Sequence, residues 1–524
     1  MATGTERQIV TYDDFRGGEA GTLHGTRAAP PRSFTGKNVL VYRDGTIGPR
    51  NGLYDATPTG QSNGKISAFG YTGGSNGTEL WYVQGTSVYQ FSPEGARSSA
   101  YTGSVASHTL VCDQAPAGPN KDYLMVPGDK VYLLDHNART CTALTGSPQP
   151  GRCIAAFGSR LYIGATGQNN RVRYSADANP NDWTIDADPG HPGSFDVGEN
   201  PNRIVRGLYP LRDSLVIVLD DGQVWVLTAN GDPVETGTLR RVAGYESGGA
   251  IWQPGRGHVA YGWELWSVGM HSTAPQVFNG GRMRALEFLG TEHTAGAIPP
   301  GAWSTSILQT DVLPPEYATM SVDDTLVFVG NNRGLVRRND IWTKHEFEQT
   351  VVGYAVDGRQ GAVALTDGGG ASAAPKFWWW HLAAERPPIK GGGRRGAVGD
   401  GSDTAHAAEF TLPEWSDPKG RRVQVRAVIV DFTKFDVGVT DATNNFTVQV
   451  ISEFGLDGTG DVANTAMSWT EDTDEATSAG LRDSKRFTFA SALANSFQIK
   501  VSAIRGVRID RIRVIVDISE RPLV

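Results

Sequence analysis

The chain has 524 residues and a formal net charge of -8, with 65 glycines and 28 prolines spread among short apolar runs. That length allows two or three domains and a large core, and the turn-rich composition suits an all-β protein. The acidic balance argues against a nucleic-acid binder held by phosphate contacts, and the lack of any run of about 18 apolar residues excludes an ordinary transmembrane helix.

In chain order, residues 1–37 are polar and punctuated by glycine and proline, too poor in apolar side chains for a core of their own. They are expected as an extended N-terminal arm, disordered or pinned along a neighbouring surface. The start, MATGTERQIVTYDDF, has no apolar h-region, so no signal peptide is expected and synthesis is placed in the cytoplasm. Residues 38–54 (NVLVYRDGTIGPRNGLY) open with a strand at 39–42 and turn at Asp44-Gly45, Pro49 and Gly52. This early strand is expected to close the following domain by completing its last sheet, which would remove an exposed edge.

A series of hairpins then follows. The strongest lies in residues 203–233, where apolar residues 215–219 meet Asp220-Asp221-Gly222 and continue as Val224, Trp225, Val226 and Leu227. Asp-Gly between two such runs signals a tight hairpin, because a type I′ turn needs positive φ at both central residues. Weaker copies occur at 79–91 (ELWYVQGTSVYQF), 122–135 (DYLMVPGDKVYLLD), 159–174 (SRLYIGATGQNNRVRY), 263–279 (WELWSVGMHSTAPQVFN), 324–338 (DTLVFVGNNRGLVRR) and 362–379. Their starts are spaced by roughly 40 to 60 residues, a range that overlaps the period of a four-stranded propeller blade. Hairpins with one apolar face must stack on one another, so residues 38–390 are read as a β-propeller of six to eight blades.

Two connectors set an aromatic directly after turn chemistry: 171–183 (RVRYSADANPNDW), and 240–249 (RRVAGYESGG) followed by Ile251-Trp252. Trp183, Trp225 and Trp252 are accordingly expected as blade anchors that wedge between sheets. Residues 286–321, with Pro299, Pro300, Pro314 and Pro315, read as an elaborated loop. Trp378, Trp379 and Trp380 stand in one strand of sequence FWWW, and alternation sends them to both faces, so they are the candidates for a subunit or domain interface.

Residues 391–405 form a Gly-rich linker. Beyond it, residues 406–524 carry longer alternating strands at 423–432, 445–454, 486–489, 498–501 and 507–518, the pattern of an antiparallel β-sandwich of jelly-roll type. Arg508, Arg511 and Arg513 are expected on or beside its solvated face. Short helices are expected only near 477–485 and 491–496.

Chemistry is sparse. No phosphate-binding glycine loop, HExxH, paired CxxC or EF-hand loop is present, so no catalytic residue, metal or cofactor is assigned. Cys112, Cys141 and Cys153 are odd in number and lack metal spacing; small buried thiols are expected. Asp220-Asp221 and Asp323-Asp324 read as turn formers. Residues 175–183 resemble the Asp-box turn of sialidase propellers, but Asn179 replaces its glycine, the tryptophan comes late and no second copy exists. A sialidase-like glycoside hydrolase is therefore the third-ranked reading.

Taken together, NVLVYRDGTIGPRNGL, RVRYSADANPNDW, LRDSLVIVLDDGQVWVLTANGDP, RRVAGYESGGAIW and QVFNGGRMRAL resemble the β-propeller tail proteins of tailed bacteriophages, including the nozzle proteins of short-tailed phages. The resemblance covers residues 38–286 well and the C-terminal region in texture only. It implies a non-enzymatic component of the virion tail, assembled in the host cytoplasm as a homo-oligomeric ring, as in hexameric relatives, around the DNA exit channel. The implied partners are copies of itself, portal, adaptor or other tail proteins, and passing double-stranded DNA that is not tightly bound. An acidic wall that repels phosphate fits such a conduit. The alternative is a receptor-recognition tail protein whose exposed aromatics bind host-surface carbohydrate.

Overall fold

The computed structural model describes most of residues 5–241 and 408–522 and the strands between 258 and 380. Outside the described residues lie 1–4, 20–32, 242–257, 286–316, 381–407, 435–443, 453–461, 470–481, 523–524 and shorter loops. The described chain is all-β, built from strands joined almost wholly in antiparallel ladders.

Among the described residues, seven small sheets follow one another along the chain. The first holds Ile66–Thr72, Glu79–Gln84 and Ser87–Phe91. The second holds Asp113–Gly118, Lys121–Met125, Val131–Asp135 and Thr140–Ala143. The third comprises Cys153–Phe157, Arg160–Gly164, Arg171–Tyr174 and Gly193–Asp196, the fourth Val205–Leu211, Ser214–Leu219, Val224–Thr228 and Thr238–Arg241. The fifth runs from His258–Tyr261 to Arg282–Ala285, and the sixth from Tyr317–Met320 to Ile341–Glu346. The seventh combines Val351–Asp357, Gln360–Leu365 and Lys376–Trp380 with a strand from far upstream, Leu53–Asp55.

Each hairpin singled out in the sequence forms the second and third strands of one of these sheets. The first strands lie against one another in chain order from the second sheet to the seventh, and Val351–Asp357 of the seventh packs on Ile66–Thr72 of the first. Between the first and second sheets the Cys112 amide donates to the Ser67 carbonyl at 2.9 Å. The series thus returns to its start. Burial explains the order: Trp81, Val83, Leu124 and Leu134 share a core between the first and second sheets, Met125, Ile154 and Ile163 one between the second and third, and Tyr162, Val172, Leu215 and Ile217 one between the third and fourth. A single four-stranded sheet would leave such a face wet; stacking on two neighbours dries both faces.

Two larger sheets complete the fold. One orders Arg482–Thr488, Arg421–Lys434, Val507–Pro522, Ile47–Pro49 and Val39–Val41, with Thr5–Tyr12 also paired to Val507–Pro522. The other runs Gly18–Glu19, Ser33–Lys37, Ala408–Thr411, Ser496–Ile504, Asn444–Ser452 and Val462–Ala463, with two short flanking strands. They bury one common core in which Val428, Val514 and Val516 of the first meet Phe410, Val448 and Ile499 of the second.

Three sequence expectations meet the structure with different outcomes. The described strands of the N-terminal arm lie extended along both large sheets, one of the two expected fates, but Phe15 and Phe34 are also buried in their core, which the polar composition did not suggest. The strand that closes the seventh small sheet is Leu53–Asp55; Val39–Val41 instead pairs with Ile47–Pro49, which continues to Ile509. The β-branched, wholly apolar Val39–Val41 is buried throughout, as suits a large two-sheet core. Neither helix is seen among the described residues: Arg482–Thr488 pairs with residues 427–433, the rest of the first candidate lies outside the described residues, and near 491–496 the Ser491 hydroxyl accepts from the Val425 amide while Ala494 bridges Val423. Tertiary hydrogen bonds here override weak local helical preference.

Candidate functional site

The most unusual chemistry in the described residues is a buried polar chain between the first and second sheets. Gln90, on the strand next to that of Glu79 and opposite Trp81, donates its amide N–H to the Glu79 carboxylate. The Tyr101 hydroxyl donates to Gln90 Oε1 at 2.5 Å and lies 2.9 Å from His136 Nδ1. His136 Nε2 reaches Asp122 Oδ2 at 3.0 Å. The His136 ring thus bridges the Tyr101 hydroxyl on one side and the Asp122 carboxylate on the other. Trp81 stacks on the His136 ring at 5.4 Å, and burial pushes the Tyr101 hydroxyl well above the ordinary tyrosine range. The His136 side chain is fully shielded from solvent while Asp122 at the end of the chain is partly exposed, and the arrangement joins two sheets.

The predicted anchors have different fates. Trp183 is buried at 2% exposure between the second and third sheets, against Leu144, Met125 and Ile154. Its loop curls back so that Nε1 donates to the Pro180 carbonyl at 2.7 Å, and the Asn179 side chain accepts from the Asn181 amide. Here the Asn-Pro sequence builds the turn that delivers the indole. Trp225 is only half-buried, packing on the core between the third and fourth sheets with Nε1 donating to Gln223 Oε1 at 3.2 Å. The hairpin's buried weight is carried instead by the run Leu215, Val216, Ile217, Val218 and Leu219. Trp252 lies outside the described residues. The backbone of Trp378, Trp379 and Trp380 pairs on one side with Val363, Ala362 and Gly361 and on the other with Asp55, Tyr54 and Leu53.

Among the described residues, the small sheets meet the large ones at the sixth sheet. The last strand of the sixth sheet, Ile341–Glu346, packs against Ser33–Lys37 and Val39–Val41. Lys37 reaches Glu346 at 3.0 Å, and the Glu346 amide donates to Asn38 Oδ1 at 2.7 Å. Asn38 adopts a φ of 57°, a left-handed conformation that asparagine tolerates better than most residues. The sequence gives no warning of this joint, because its two halves are some 300 residues apart.

Charged groups cluster on the six-stranded sheet. Asp517 accepts from Arg7 Nε at 2.9 Å and Arg426 Nε at 2.7 Å; the Arg7 bond, with help from Arg426, holds its carboxyl below the usual range despite burial. Burial raises Asp431, but Ser484, Arg511 and Arg513 together outweigh it and the net shift is downward. Arg421 holds Asp417 low in the same way. Among the described residues no group of three or more His, Cys, Asp or Glu side chains is placed to hold a metal ion.

No family model matches the chain, and no curated protein matches it. Solved structures do match; one is the computationally designed Ika8 protein, at 10% identity and a TM-score of 0.39, covering 63% of this chain and 100% of that one.

Proposed function

We propose that the chain is a non-enzymatic structural component of a bacteriophage virion tail: a seven-bladed β-propeller followed by a β-sandwich, assembled as a homo-oligomeric ring around the DNA exit channel. The observation that carries the propeller is the cyclic order of the small sheets, whose first strands follow one another and return to the start. Leu53–Asp55 beside Lys376–Trp380 then acts as the clasp between the two ends of the ring of blades. The tail assignment rests on the resemblance of residues 38–286 to tail propellers, with an acidic net charge that lets duplex DNA slide. Its partners are other copies of itself and the portal, adaptor or neighbouring tail proteins, and its place is the virion after assembly in the host cytoplasm. Gold-labelled antibody raised against the purified protein should decorate the tails of intact particles; particles that lack the protein altogether would overturn the reading.

A further inference from the structure

Strand Thr5–Tyr12 runs along Val507–Pro522 in a register from Thr5 opposite Ser519 to Tyr12 opposite Ile512. Val10 and Tyr12 pack on the core, so alternation turns Arg7, Ile9 and Thr11 outward. Ile9 is 59% exposed. It faces Ile515, which faces Ala427, while on the next outward rung Ile429 faces Arg513 and Arg486. Ile9, half-buried Ile515 and half-buried Ile429 therefore share the outer face of the six-stranded sheet.

Both flanks of this apolar bar are basic. On one side Asp517 sits between Arg7 and Arg426, and on the other Asp431 sits between Arg511 and Arg513. Each cluster has two arginines to one aspartate, and exposed Arg486 adds a further positive charge, on a chain whose net charge is -8. An apolar centre with an arginine-rich surround is the composition of a protein interface, and an ordinary solvated sheet face would place lysine or glutamate where Ile9 stands.

We propose that this face docks on an acidic surface of a second copy of the same chain. Charge complementarity chooses the occupant, since the rest of the molecule is more acidic than its average and this face is basic. The face does not pair with itself, because a twofold contact would set arginine clusters against arginine clusters. The contact therefore joins two different faces, a heterologous arrangement that closes into a ring or runs on as a filament. The inference rests on the ring reading above and supplies it with one contact face.

The test uses the full-length protein in sedimentation velocity over a range of salt, comparing wild type with Ile9→Asp, Arg486→Glu and the conservative Ile9→Val. Wild type should assemble and dissociate as salt rises. Ile9→Asp should weaken association tenfold or more with an unchanged thermal midpoint, Arg486→Glu should weaken it and flatten the salt dependence, and Ile9→Val should assemble normally. Assembly unaffected in both Ile9→Asp and Arg486→Glu would overturn the face and leave the ring reading standing; a wild type that stays monomeric would overturn both. If the same variants lose retention on duplex DNA or host cell walls while their mass is unchanged, the face belongs to a polyanion and the self-docking proposal fails.

Discussion

At the scale of single residues, the two tryptophans that looked equivalent in the sequence are separated by burial. Trp183 is enclosed and bonded to its own turn, so Trp183→Ala should cost about 3 to 5 kcal/mol, the usual range for emptying a large aromatic site. Trp225 is half-buried against its core, so Trp225→Ala should cost roughly 1 to 3 kcal/mol. Denaturant midpoints of the two variants check the order; equal losses would contradict it. The asparagine-proline turn before Trp183 made that residue legible in advance. What no local pattern could reveal is the chain from Glu79 through Gln90, Tyr101 and His136 to Asp122, since its members lie on strands and loops up to 57 residues apart and only the stacking of two sheets brings them together. The three cysteines behave as small apolar residues: all are buried and outside any disulfide, and burial pushes the Cys141 thiol up to about 12.

At the scale of elements, the hairpins were legible where the second strand is a dense apolar run set beside turn residues. Leu215–Leu219 is buried without a break, and so are Leu80 to Val83 in the first sheet. The outer strands escaped notice because they are short and polar: Asp113–Gly118 (DQAPAG) contains a proline, and Gly193–Asp196 (GSFD) and Thr238–Arg241 (TLRR) have one large apolar residue each. Such strands form because a neighbour supplies the ladder, which propensity does not register. The clasp was expected as a device and misplaced in sequence, because Val39–Val41 reads as the stronger strand than Leu53–Asp55. Replacing Tyr54 by proline should remove a ladder donor beside Trp379. Hydrogen exchange should then quicken in Lys376–Trp380 and leave Val507–Pro522 protected; unaltered exchange at 376–380 would mean that the clasp does not hold the seventh sheet.

At the scale of the whole molecule, the N-terminal segment and the C-terminal strands fold as one unit even though they lie some 500 residues apart, as the pairing of Arg7 with Asp517 shows. Their ion pairs set a pH response. Asp417, Asp431 and Asp517 are all held below the ordinary carboxylate range, so each contributes stability that is present above its unfolded value of about 3.9 and is lost as pH falls through its folded value. Acidification below about pH 4 should thus release Thr5–Tyr12 and loosen the six-stranded sheet, and Asp517→Asn should lower stability at neutral pH while flattening its acid dependence. A thermal midpoint for Asp517→Asn that tracks wild type at every pH would show that the pair contributes nothing.

The central claim, a ring of subunits each carrying a closed circle of seven small sheets, is tested most directly by imaging the purified protein in negative stain at the concentration and salt where its solution mass has been measured. The account predicts a mass that is a whole multiple of 56.2 kDa and class averages of a closed ring with a central opening wide enough for duplex DNA. Particles of a single subunit, or an assembly with no central opening, would contradict it.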